Sequence, residues 1–238
     1  MIGEKEIHEF LHGIGVSASD TVIIHSSMKA IGEVSRGCDG LIDGFKSYLS
    51  DGLFLVPTHT WANVGEDQPV YDVRKTLPCI GALPTVAAFR KDGIRSMHPT
   101  HSVAAFGKRA KEFVAGEENC TTPCPIGGVW SRLYDEDAKI LLLGVKLNRN
   151  TYIHAVDELL NIPNRLRDPI PLTLIDYDGN ARVIQFRKHG QTGSEEYDEK
   201  YRADFERAQV IKTARLGNAE VGIVSARGCT EVLKKLLS

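Results

Sequence analysis

The 238-residue chain has no long apolar run, no basic run and no cysteine framework. No apolar stretch reaches the roughly 20 residues that cross a bilayer as a helix, which argues against a membrane partner. Twenty-nine lysines and arginines stand against 31 acidic residues, for a formal net charge of −2. Nucleic acid is therefore not an expected partner, because its recognition needs a concentrated basic face. The cysteines are Cys38, Cys79, Cys120, Cys124 and Cys229, an odd and scattered set that does not read as a disulfide scaffold. Cys120 and Cys124 form a C-x3-C pair with no second pair nearby. Structural zinc needs four convergent ligands, so no metal site is expected. The opening residues M-I-G-E-K-E-I-H-E-F-L form a charged amphipathic helix without the apolar core of a signal peptide, which points to the cytoplasm. P-loop, G-x-G-x-x-G, G-x-S-x-G and H-E-x-x-H patterns are all missing, as are internal repeats and low-complexity tracts.

What is present is the balance of one globular domain, with 42% hydrophobic and 25% charged residues. Residues 5–13 pattern as a helix. Residues 21–25, T-V-I-I-H, form a β-branched run expected of a strand buried on both faces. They run into Ser26, Ser27 and Met28, then a helix ending near residue 49. Residues 53–56 are a second buried strand, ending in P-T-H-T-W, and residues 62–80 read as a surface loop, a candidate flap. A helix is expected over 85–90. The H-P-T-H-S stretch at 98–102 feeds a strand of small residues, then a helix over 108–115. A rigid turn at 123–128 precedes a helix over 129–134. Residues 137–145, D-A-K-I-L-L-L-G-V, give the strongest central-strand signal. Later come a hairpin over 171–186 with a D-G turn, a charged helix over 195–209, short strands over 214–216 and 220–225, and a closing helix over 229–237 with Thr230 as a cap.

The stretch 150–160, N-T-Y-I-H-A-V-D-E-L-L, organises the functional reading. Ile153, Val156, Leu159 and Leu160 recur at helical spacing, and Asn150 or Thr151 can cap the first turn. His154 and Asp157 lie three apart and so share a face. An imidazole beside a carboxylate is one way to build an oriented general base; an ordinary surface pair has the same spacing. Ligands in open α/β sheets bind beyond the carboxyl ends of strands, which makes Ser26 and Ser27 candidate contacts, or simply strand-end hydrogen bonders.

Six stretches, in this order, resemble the aminoglycoside 3-N-acetyltransferase (antibiotic N-acetyltransferase) family: V-I-I-H-S-S-M-K-A-I-G, L-V-P-T-H-T, G-A-L-P, H-P-T-H-S-V-A-A-F-G, T-P-C-P-I-G-G, and L-L-L-G-V with N-T-Y-I-H-A-V-D-E. They cover about residues 20–165. The resemblance implies an α/β protein with three α/β/α layers around a mixed, largely buried sheet. It implies acetyl-coenzyme A as co-substrate and direct transfer of the acetyl group to an amine of an amino sugar or aminoglycoside. His154 then looks like the base and Asp157 its carboxylate partner. The family usually carries glutamate in an H-x-x-E pattern here, so Asp157 is one methylene short, and Glu158 is a second claimant. Ser26, Ser27 and Met28 look like the pantetheine and pyrophosphate loop, with Gly81, Leu83 and Pro84 on the same arm. His101 and Ser102 look like further coenzyme or thioester contacts, and His98 like an anchor of their loop. Residues 165–238 would complete the acceptor side.

A polycationic acceptor needs carboxylates. Acidic clusters occur at 67–72, 117–118, 135–137 and 195–199, and such runs are mostly solvated. The same scaffold admits a longer acyl donor or another acceptor, and a non-catalytic coenzyme-binding role. The charged tail helix either closes the acceptor pocket or offers a homodimer face.

Overall fold

The computed structural model of the protein describes residues 1–190 and 197–237. Among these residues the strands are, in chain order, β1 (Thr21–Ser26), β2 (Leu53–Pro57), β3 (Val70–Asp72), β4 (Ile94–Arg95), β5 (Val103–Phe106), β6 (Lys139–Leu143), β7 (Leu166–Ile175), β8 (Ala181–His189), β9 (Ile211–Leu216) and β10 (Ala219–Ser225). The helices are α1 (Glu4–Gly13), α2 (Met28–Ile31), α3 (Gly37–Tyr48), α4 (Ala82–Ala88), α5 (Ala110–Phe113), α6 (Val129–Asp135), α7 (Tyr152–Leu159), α8 (Tyr197–Arg207) and α9 (Ala226–Leu237). Seven strands form the main sheet in the order β4-β5-β2-β1-β6-β10-β9. β1 runs parallel to β2 and β6; the flanking pairs are antiparallel, so the sheet is mixed.

The central strands are apolar without interruption because both their faces are covered. Ile23, Leu55, Ile140 and Leu142 point into one core, with Trp130, Ile153, Phe205 and Leu233 from the helices on that side. Val22, Ile24, Phe54 and Leu141, one position out of phase, point into the other, against Ile7, Leu11 and Phe45. The period-two alternation of strand side chains thus builds the expected α/β/α layers. β3, β7 and β8 form a separate three-stranded sheet, packed through Tyr71, Leu172, Leu174 and Phe186. No helix among the described residues is long and apolar enough to cross a membrane.

Several boundaries differ from the sequence expectation. The loop after β1 contains α2, whose first turn is capped when the Ala30 N–H donates to the Ser27 hydroxyl at 3.3 Å. Helix α4 begins at Ala82, with Pro84 in its first turn, where a missing N–H costs nothing. The 62–80 loop contains β3, which pairs parallel with β7. Thr230 does not cap α9; it lies inside the helix, hydrogen-bonded to the Tyr152 hydroxyl at 2.6 Å. Residues 195–196 of the expected charged helix, and the acidic side chains at 195–199, lie outside the described residues.

Gly144, just past β6, turns the chain beside α2 at φ +66°. A Cβ there would lie 2.4 Å from the Ala30 Cβ. Gly144→Ala is expected to cost about 2–4 kcal/mol, from the left-handed backbone and the overlap together. Chemical denaturation would register this as a lower midpoint.

Candidate active site

β1, β2 and β6 end at the same edge of the sheet because they are parallel. Beyond that edge lies a cleft of about 990 Å³. Ser26, Pro57 and Val145 bring the strand ends to its wall, with His25 and His59 beside them. α7 contributes His154, and the β7–β8 hairpin contributes Arg167, Lys188 and His189.

α7 starts as the sequence implies, but Asn150 rather than Thr151 serves the first turn: its Oδ1 accepts from the Tyr152 N–H at 3.2 Å. The apolar side of α7 buries Ile153 and Val156, which leaves His154 facing the cleft. The His154 Nδ1 is 3.7 Å from Asp157 Oδ2, and Asp157 is almost wholly buried. Arg165 Nε approaches the same oxygen at 3.4 Å. The separation is long for a hydrogen bond and within the range of a charge–charge contact.

Glu158 has a different task. Its Oε1 lies 3.1 Å from His189 Nε2 and accepts from the Cys124 N–H at 2.8 Å; its Oε2 accepts from the Thr122 hydroxyl at 2.5 Å. The T-P-C-P turn is thereby strapped to α7. The His189 and His154 rings lie 4.4 Å apart, so two imidazole–carboxylate pairs stand side by side. Burial holds the His189 pKa below its ordinary value, against the opposing hydrogen bond to Glu158.

The H-P-T-H-S loop is held by His98. Its Nδ1 accepts from the Thr100 and His101 N–H groups at 3.2 and 2.9 Å, and its Nε2 donates to the Thr122 carbonyl at 3.0 Å. His101 lines the cleft, with its ring 4.6 Å from His59 and 5.3 Å from His189. Trp130 lies beneath: its ring stacks near those of His25 and His59, and its indole N–H donates to the His101 carbonyl at 2.9 Å. Burial pushes the pKa values of His25, His59 and His101 down; that of His25 falls to about 3.

An unfolded chain protonates these histidines near pH 6.5, whereas the folded chain does so only at lower pH. Below that pH the unfolded state binds more protons, so stability falls as pH falls. For His25 the slope is about 1.4 kcal/mol per pH unit between roughly pH 6 and its folded value of about 3. Denaturant titrations at pH 7.5, 5.5 and 4.5 are expected to show the loss, and His25→Gln to flatten the curve by one histidine's share.

Of the expected coenzyme contacts, Ser26, Pro84 and His101 line the cleft. Gly81 precedes α4 as its N-cap at φ +118°, Ser27 caps α2, and Met28 packs on the apolar core. Ser27, Met28, Gly81, Leu83 and Ser102 do not line the cleft. Leu83 is driven into the core by its apolar surface, and Ser102 is fully buried, its hydroxyl bonded to the Thr58 carbonyl at 2.9 Å. Glu117 departs from the expected solvated acidic face. It is buried, and its Oε1 accepts from the Val129 N–H at 2.7 Å at the start of α6. His98, Glu117 and Cys120 converge to within 4.8 Å, and their hydrogen bonds run to one another's loops. His25, His59, His189, Arg149, Arg167 and Lys188 were missed by sequence reasoning. His25 and His59 did carry a signal, as polar residues closing buried strands.

An α/β/α sheet with a deep cleft at its carboxyl edge, walled by histidines, is the architecture of a small-molecule enzyme. The family model for aminoglycoside 3-N-acetyltransferases matches residues 23–238, and the chain belongs to that family of acetyltransferases. An aminoglycoside N(3)-acetyltransferase III of Serratia marcescens is 26% identical over 189 residues, 72% of this chain and 70% of that protein. The prophage-derived aminoglycoside N(3′)-acetyltransferase-like protein YokD of Bacillus subtilis (strain 168) is 24% identical over 98% of this chain and 91% of its own. Among solved structures, a binary complex of AAC-IIIb with CoASH superposes with a TM-score of 0.85 at 20% identity, covering 99% of this chain and 96% of that one.

Proposed function

We propose that the chain transfers the acetyl group of acetyl-coenzyme A directly to an amine of an amino sugar or aminoglycoside, with His154 as general base. The observation that carries this reading is His154 on the cleft wall with the buried Asp157 carboxylate 3.7 Å behind it. A thioester is already activated, so the protein must supply an unprotonated amine, alignment and oxyanion stabilisation. The amine nitrogen attacks the thioester carbonyl, the C–S bond breaks, and coenzyme A leaves as the thiol(ate). His154 takes the amine proton, and Asp157 stabilises the resulting imidazolium. Ser26, Pro84 and His101 are the contacts we assign to the coenzyme arm.

Direct transfer is favoured over an acetylated enzyme by the state of the thiol in the cleft. Cys79 lines it, but burial pushes its pKa up, which keeps it a poor nucleophile. Intact-protein mass spectrometry after incubation with acetyl-coenzyme A alone is the test. No acetylated protein is expected, and the acetyl group should appear on the amine once one is added. A stoichiometric acetyl-protein that decays on adding amine would replace this mechanism with a two-step one.

A further inference from the structure

Among the described residues, the cleft wall carries the wrong charge for a polycation. Its permanent charges among the described residues are Arg149, Arg167 and Lys188, and no aspartate or glutamate lines it. The two carboxylates of α7 behind the wall are taken. Asp157 is buried against His154 and Arg165, and Glu158 against His189, Thr122 and Cys124. Arg149 and Arg167 have no carboxylate within ion-pair distance among the described residues. Arg167 and Lys188 sit on the paired strands β7 and β8, at the bulge between Leu166 and Pro169. Burial and then the Arg167 charge lower the Lys188 pKa, with Glu66, which does not line the cleft, opposing them. Two like charges beside each other on a cleft wall repel, and an anion between them removes the repulsion. Lys188 is fixed there by the Trp61 and Val64 carbonyls, which accept from its Nζ at 2.8 and 2.9 Å. His189, the next residue, carries this wall to His154.

Building on the acetyl-transfer reading, we infer that the acceptor is an amine that also bears an anionic group, a phosphate or carboxylate, which the Arg167–Lys188 wall of the hairpin receives. Arginine suits this role because its guanidinium pairs with such groups through two parallel hydrogen bonds. Among the described residues, a multiply charged aminoglycoside meets only cations on this wall.

The test compares glucosamine 6-phosphate, a uridine-diphosphate-linked amino sugar, glucosamine and the aminoglycoside gentamicin as acceptors for acetyl-coenzyme A. The phosphate-bearing amines are expected to give the highest kcat/KM, and their KM to rise with salt. Arg167 is exposed and can be reversed without disturbing the core. Arg167→Glu is expected to raise KM for the anionic amine about 10-fold or more, to leave KM for acetyl-coenzyme A unchanged, and to be rescued in part by Arg167→Lys. Gentamicin as the best acceptor would overturn the inference, as would an Arg167→Glu effect confined to KM for acetyl-coenzyme A, which would assign the cation to the coenzyme phosphates. If no amine is acetylated, the acetyl-transfer reading fails, and the anion site is judged by calorimetry with the same phosphate-bearing amines. Saturable binding lost in Arg167→Glu would uphold it; no binding would overturn it.

Discussion

Replacing His154 with alanine is expected to lower kcat by about 10²–10⁴-fold, the usual contribution of a placed general base. KM for acetyl-coenzyme A should change little, because the ring acts on the amine. The variant should also fold: His154 faces the cleft, while Ile153 and Val156 on the same helix carry the packing. The second imidazole sharpens the experiment. His189 lies 4.4 Å from His154 and has its own carboxylate in Glu158. Were His189 the base, His189→Asn and Glu158→Gln would abolish turnover while His154→Ala retained most of it. Steady-state kinetics of the three variants, beside coenzyme titration by calorimetry, separates the two assignments.

Trp130→Ala is expected to give the largest loss of stability from a single side chain. The indole is buried in the core under the sheet edge, and its removal deletes a large apolar volume that neighbours fill only in part. Such truncations cost about 3–5 kcal/mol. For a domain of this size that is a fall in Tm of about 6–20 °C. The same change strips the floor from His25 and His59 and leaves the His101 carbonyl without its donor. Activity should therefore fall at temperatures where the variant is still folded. A loss under about 1 kcal/mol in chemical denaturation would show that the site does not rest on Trp130.

The three central strands were legible because burial on both faces demands an unbroken apolar run. Nothing else in the chain looks like 21–25, 53–56 or 137–145. The three-residue β3 and two-residue β4 were not legible, since strands so short exist only through their neighbours' hydrogen bonds. Helical spacing, a local signal, put His154 and Asp157 on one face, the resemblance supplied their expected roles, and the carboxyl edge of the sheet located the cleft. His189 gave no such signal, since only the antiparallel return of β8 brings it to His154. Glu117 illustrates the converse. Its neighbour Glu118 makes it read as solvated surface, yet it is buried and accepts hydrogen bonds from residues 3 and 12 positions away. Whether Asp157 or Glu158 partners His154 also needed the fold, because both sit within one helical turn. The distances give Asp157 to His154 and Glu158 to His189.

The most direct test of the account is a thiol-release assay with acetyl-coenzyme A and the acceptor panel, run on the wild-type chain and on His154→Ala in parallel. Saturable coenzyme A release with at least one amine, lost in the variant, is the predicted result. Release that needs no amine, or that persists at near wild-type rate in the variant, would contradict it.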